Sequence, residues 1–188
     1  KLDANKRYVE ASVEGALDKN QRFHARLSGS YLDNDGLSLD HEAWPRLKDA
    51  SEQSQVSARL SYRPDGKGIS DDNSNNDSRL VKNSQYWLEA SHYKEDDISR
   101  FNYYVAPRYL AQQRDEHISK QRFSIGARAE IAPHVDDRSK TYRLSAQALH
   151  EEYQSESNTK TQQAITSARD TEISTTLAQA QIDLPELL

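Results

Sequence analysis

The chain has 188 residues, 25 Lys and Arg against 30 Asp and Glu for a formal charge of -5, no Cys, no Met, 35% hydrophobic residues and a mean hydropathy of -0.99. The absence of Cys excludes a disulfide framework, thiol catalysis, a zinc knuckle and an iron–sulfur site, and the apolar fraction, against roughly 45–50% in ordinary domains, argues against a thick, doubly covered core. Ten Tyr, three Phe and two Trp spread along a chain of small net charge are equally unlike an unfolded composition.

Alternation with period two is the dominant signal, and it predicts strands. Val9, Ala11, Val13, Gly15 and Leu17 alternate with the polar Glu10, Ser12 and Glu14. After the turn-like Asp18-Lys19-Asn20-Gln21, Phe23, Ala25, Leu27, Gly29 and Tyr31 alternate with Arg22, His24, Arg26, Ser28 and Ser30. The pattern returns in Val56 to Tyr62, Tyr86 to Ala90, Phe101 to Tyr109 and Phe123 to Ile131, and more weakly in Tyr142 to Ala148 and Thr176 to Ile182. That makes about eight strands, longer than the usual five or six residues. An Arg-apolar-Ser triplet recurs at Arg26-Leu27-Ser28, Arg59-Leu60-Ser61, Arg122-Phe123-Ser124 and Arg143-Leu144-Ser145, as if one strand environment were reused.

Residues 1–188 therefore read as a single antiparallel β domain. Lys94 to Asp97 and Gln112 to Glu116 are expected as short charged turns. Residues 34–54, 65–84 and 154–169 are expected as long polar loops, the second containing the low-complexity run Ser70 to Ser78. The competing helical reading rests on the i, i+4, i+8 spacing of Val9, Val13 and Leu17 and on segments 142–152 and 172–186. Pro107 within Phe101 to Tyr109, and the strict alternation from Phe123 to Ile131, fit helices badly. No apolar run approaches the ~18 residues of a membrane-spanning helix. The opening Lys1-Leu2-Asp3 reads as a mature chain or an excised piece.

The two faces differ in kind. The apolar face is lean in the middle, at Ala11, Ala25, Ala58, Ala90, Ala127 and Ala129, and carries Tyr31, Tyr62, Tyr86, Phe101, Tyr109, Phe123 and Tyr142 towards its ends. It has no charge, whereas a charged residue on a lipid-facing midplane costs about 2–4 kcal/mol. In this aromatic-bounded alternation the chain resembles a Gram-negative outer-membrane β-barrel. The resemblance implies an up-and-down barrel of about eight strands, or part of a larger one, with membrane lipid as partner and an envelope protein as a further one.

The resemblance also makes the polar face a lumen lining of Arg26, Arg59, Arg63, Arg100, Arg108, Arg122, Arg128 and Arg143 with Glu10, Glu14, Glu89 and Glu130. Such a face is structural, its charges pairing into a plug, or it favours passage of anionic or hydroxylated solutes. The alternative is a soluble antiparallel β-sandwich, periplasmic or secreted, that binds polysaccharide or protein through Tyr103, Tyr104, Trp87 and Trp44.

Catalysis finds no footing. There is no GxSxG, Gly66-Lys67-Gly68 is too short for a phosphate loop, and the histidines form no HExxH. The carboxylates Asp33, Asp35 and Asp40 and the run Asp71, Asn73, Asn75, Asp77 alternate like calcium ligands but depart from an EF-hand at Asn76 and Lys82. They read as solvated loop. No enzyme activity, cofactor or metal is expected, and arginines interleaved with carboxylates are no footprint for nucleic acid.

Overall fold

Among the described residues seven strands follow one another in chain order, each pairing antiparallel with its sequence neighbours. They are β1 (Lys6–Ala16), β2 (Phe23–Asn34), β3 (Ala50–Tyr62), β4 (Val81–Val105), β5 (Arg108–Ile131), β6 (Tyr142–Thr161) and β7 (Ala164–Asp183). This computed structural model describes residues 5–36, 49–64, 81–105, 107–131, 142–161 and 164–184. The protein is all-β and up-and-down, as its alternation predicts. The first turn is built as its polar residues suggest: Asp18 Oδ1 accepts a hydrogen bond from the Phe23 amide at 2.9 Å, and Gln21 takes a left-handed φ of 55°.

The sheet is open. β1 and β7 make no contact with each other, so no barrel of about eight strands closes among the described residues. Among the described residues there is no second sheet either, which removes the sandwich. The connections also differ from expectation. Lys94 to Asp97 and Gln112 to Glu116 are strand interior, paired across the sheet as in Lys94↔Ser119 and Asp97↔Glu116. Phe101 to Tyr109 is no strand of its own but the apex of the β4–β5 hairpin, with Pro107 outside the strands. Residues 154–161 and 164–169 belong to β6 and β7, residues 50–54 to β3 and 81–84 to β4. The shared cause is that both faces of these hairpins are polar, so backbone pairing and cross-strand polar contacts hold them without apolar alternation.

Residues opposite one another in the register share a face. One row runs Gly15, Ala25, Leu60, Leu88, Ile125, Ala148, Ala178, and its neighbour on the other face runs Glu14, Arg26, Arg59, Glu89, Ser124, Leu149, Leu177. Among the described residues no hydrophobic side chain is buried, and Leu60, Val13 and Ile125 stay 42%, 66% and 54% exposed. The four buried polar residues, Asn34, Ser61, Gln85 and Ser124, all lie on the polar face. The burial is thus the reverse of a soluble core: among the described residues the polar face holds the few buried side chains and the apolar ones stay exposed.

The apolar zone is a band that crosses the strands obliquely. Phe23, Tyr62 and Tyr86 bound one side and stack, with ring centroids 4.6 Å and 6.3 Å apart. Their row continues to Ala127 and Ala146, but the bounding aromatic on β6 is Tyr142, four residues further on. The opposite boundary moves the same way: Tyr31 shares its row with Ser119 of β5, where the first aromatic, Phe123, is again four residues further on. A shift of about one residue per strand, ~3.3 Å along the chain for ~4.8 Å across it, corresponds to a band inclined at roughly 35° to the rows.

Beyond the band, β4 to β7 continue as polar hairpins stitched by side chains. Lys160 Nζ lies 2.5 Å from Asp115 Oδ2, and Gln113 Nε2 donates to Asp115 Oδ1 at 2.6 Å. Desolvation pushes the Asp115 carboxyl up, but the hydrogen bonds from Lys160 and Gln113 and the Lys160 charge outweigh it, so its pKa falls below the ordinary 3.8. A depressed carboxylate contributes stability that is present above its unfolded value and lost as pH falls through the folded one. Amide-exchange protection at the β5–β6 pairing is therefore expected to drop below about pH 4. In Lys160→Gln the protection is expected to be weaker at neutral pH and less sensitive to acid; unchanged acid sensitivity would remove the pair from the account.

Candidate functional site

The polar face of β1 to β5 carries a concentration of cations. Register sets Arg26 directly opposite Arg59, with Glu14 and Glu89 flanking them in the same row. Arg63 follows the end of β3, where its amide donates to the Arg22 carbonyl at 2.8 Å and extends the β2–β3 pairing. Arg128 stands opposite Gln85 beside a register irregularity in β4. Together Glu14, Arg26, Arg59, Arg63, Arg128 and Trp87 line a cavity of about 420 Å³. Like charges directly opposite in a sheet are destabilising by a few tenths of a kcal/mol or more, up to ~1.

Arg59 is the anchored member. Its Nη1 lies 3.5 Å from Glu89 Oε2, and its guanidinium carbon sits 5.5 Å from the centre of the Trp87 ring. Trp87 in turn lies over Gly126, its partner in the register: a Cβ at Gly126 would fall 2.2 Å from Trp87 Cζ2. Glycine is required here because the indole occupies the space of its side chain. Among the described residues Arg26, Arg63 and Arg128 have no carboxylate within ion-pair distance.

The remaining residues expected to line a lumen separate into three groups. Glu130, Arg143 and Arg122 share the polar face but lie outside the cavity: Arg143 Nε is 3.3 Å from Glu130 Oε1, which leaves that pair neutral. Arg122 stands opposite Glu151, a carboxylate that Lys120 approaches at 3.1 Å. Glu10 is also on the polar face, near the β1 edge, and accepts a 2.6 Å hydrogen bond from the Tyr8 hydroxyl. Arg100 does not belong to the ladder. It falls in register with Gln113, on the same face as the apolar band but well beyond it, and donates to Gln113 Oε1 at 3.0 Å. Arg108 starts β5 at the hairpin apex, opposite Val105 and remote from the other arginines. Period-two counting fails for Arg100 because it was phased on Phe101 to Tyr109, whose aromatics prove to be an apex and not a band.

Trp87 is the cavity residue missing from the expected lumen lining, being expected only as an exposed aromatic of the soluble alternative. It sits between Tyr86 and Leu88 of the apolar face, so its parity puts it on the polar one. Asp33 and Asp35 lie at the end of β2, whereas Asp40, Trp44 and residues 70–78 fall outside the described residues. His150 lies inside β6, with Nδ1 2.9 Å from Thr176 Oγ1. No group of three or more metal-ligating side chains occurs among the described residues. No protein-family model matches the chain, and no curated protein or solved structure matches it.

Proposed function

We propose that this sheet is a section of the wall of an outer-membrane β-barrel, with the oblique apolar band against lipid and the arginine-rich face towards an aqueous lumen. The oblique band is the observation that carries the reading. A soluble sheet buries its apolar face, whereas here that face is bare and its two aromatic boundaries run parallel. Barrel strands tilt by roughly 35–45°, and a band perpendicular to the barrel axis then cuts the rows at about the angle seen. Tyr31 to Phe23 spans roughly 27 Å along β2, or about 22 Å once projected, close to the ~25 Å apolar zone of such proteins. The alanines of β5 to β7 leave a shallow hollow of about 800 Å³ beside Tyr86 and Leu88, which acyl chains would fill.

Within hydrocarbon every backbone amide needs a partner, so the free edges of β1 and β7 call for further strands on both sides. The wall then belongs to a barrel of more than seven strands; where the strand number is well above the eight whose interior side chains fill, its polar face lines a water-filled passage favouring anionic or hydroxylated solutes. The polar hairpins of β4 to β7 project from the membrane at the end away from the Asp18–Gln21 turn. Flotation with phospholipid vesicles, followed by alkaline carbonate washing, tests this reading. The chain is expected to float and to resist extraction; a stable monomer in buffer without amphiphile would overturn it.

A further inference from the structure

We infer that the cavity between Arg26, Arg59, Arg63 and Arg128 is a binding station for a small multivalent oxyanion, phosphate or carboxylate. The inference deepens the lumen reading and rests on it in that the polar face must meet water. Four guanidinium groups converge on about 420 Å³ with one carboxylate, that of Glu14, among the lining residues. Arg59 is already tied to Glu89 at 3.5 Å, but Arg26, Arg63 and Arg128 find no carboxylate within ion-pair distance among the described residues. Elsewhere on the same face Arg143 is matched by Glu130 at 3.3 Å and Lys120 by Glu151 at 3.1 Å, whereas Arg122 has no carboxylate within ion-pair distance among the described residues. What sets the cavity apart is that four guanidinium groups line one space with a single carboxylate among them.

Two further features are those of a site. Arg26 and Arg59 are held directly opposite, an arrangement the sheet alone disfavours and a shared anion would relieve. The Trp87 indole, seated on Gly126, covers one side of Arg59 and keeps its guanidinium at the cavity wall. Guanidinium forks match carboxylate and phosphate oxygens two at a time, so several of them select for a ligand with more than one anionic group. A singly charged or neutral sugar would leave most of the cations unanswered.

Trp44→Phe leaves Trp87 as the sole tryptophan, and its fluorescence reads the site directly. The full chain, in detergent or in buffer as its folding requires, is titrated with inorganic triphosphate, citrate and glucose at constant ionic strength. A saturable change is expected with triphosphate or citrate, the two arms deciding between phosphate and carboxylate, and none with glucose. Arg59→Gln/Arg128→Gln is expected to raise the midpoint at least tenfold, and Glu14→Gln to lower it several-fold. The second variant keeps the question answerable if the first does not fold. Equal response to glucose, no saturation with either anion, or an unmoved midpoint in Glu14→Gln would overturn the inference. Vesicle flotation separates the two readings: a chain that floats but does not bind loses the station alone, and one that binds in buffer without amphiphile loses the membrane alone.

Discussion

Val56→Arg is expected to cost this sheet about 1 kcal/mol or more of stability in a lipid bilayer, short of the ~2–4 kcal/mol of a midplane charge because Val56 lies towards the edge of the apolar band, while Glu152→Arg, in the same cross-strand row, is expected to cost little. The row runs Ala11, Gly29, Val56, His92, Gln121, Glu152, Ser174, so the two positions share a height measured along the strands. They differ in where the oblique band crosses them. On β3 the band reaches Val56, which is 54% exposed on the apolar face, whereas on β6 it has already ended at Ala148. The contrast should reverse on the other side of the band, where Leu144 of β6 lies inside it. Leu60→Arg, nearer the middle, should cost at least as much as Val56→Arg. Urea unfolding in phospholipid vesicles, followed by far-UV circular dichroism, measures these three and Leu144→Arg. Equal costs at Val56 and Glu152 would mean that height along the strands, not position in an inclined band, sets the environment.

That inclination was not legible in the sequence, though its ingredients were. Alternation places Val9 to Leu17, Phe23 to Tyr31 and Phe123 to Ile131 on strands with the apolar residues on one face, and the structure keeps those assignments except for Leu17, which falls just past the end of β1. Pattern reading, however, treats each strand separately. Only the register shows that Tyr31 is level with Ser119 and that both boundaries slide together. The polar hairpins escaped for a different reason. From His92 to Ser99 on β4 and from Gln112 to Gln121 on β5 both faces are mainly polar, so the alternation that marks a strand is missing, and charge-rich stretches such as Lys94 to Asp97 look like turns. The cavity was half legible. Glu14, Arg26, Arg59, Arg63 and Arg128 share a parity that could be counted, but their convergence depends on pairings between β1, β2, β3, β4 and β5 that no spacing reveals. Trp87 carried its own signal, a large aromatic out of phase with Tyr86 and Leu88, and that phase decides that it serves the polar face.

The same tryptophan gives Gly126→Val an unusual expected outcome. In an ordinary strand, replacing glycine by valine gains stability, because glycine loses more chain entropy on folding and valine fits a pleated surface, together worth up to about 1 kcal/mol. At Gly126 the sign should reverse. A Cβ there would stand 2.2 Å from Trp87 Cζ2, 2.5 Å from Cε2 and 2.8 Å from Cη2, so the indole must leave its seat or the strands must part. Overpacking of this kind costs about 1–3 kcal/mol, and it also removes the ring from beside Arg59, 5.5 Å away. If the cost comes from the ring and not from the backbone, taking the ring away should repair it. Trp87→Ala/Gly126→Val is then expected to be more stable than Gly126→Val alone, with a coupling of about 0.5–3 kcal/mol in the double-mutant cycle. Urea midpoints by far-UV circular dichroism, which needs no tryptophan, give all four corners. Costs that add to within about 0.5 kcal/mol would show that glycine is needed here for its backbone and that the indole's position is incidental. Rescue would instead fix the order of causes on the polar face: Gly126 seats Trp87, and Trp87 holds Arg59 at the wall of the cavity.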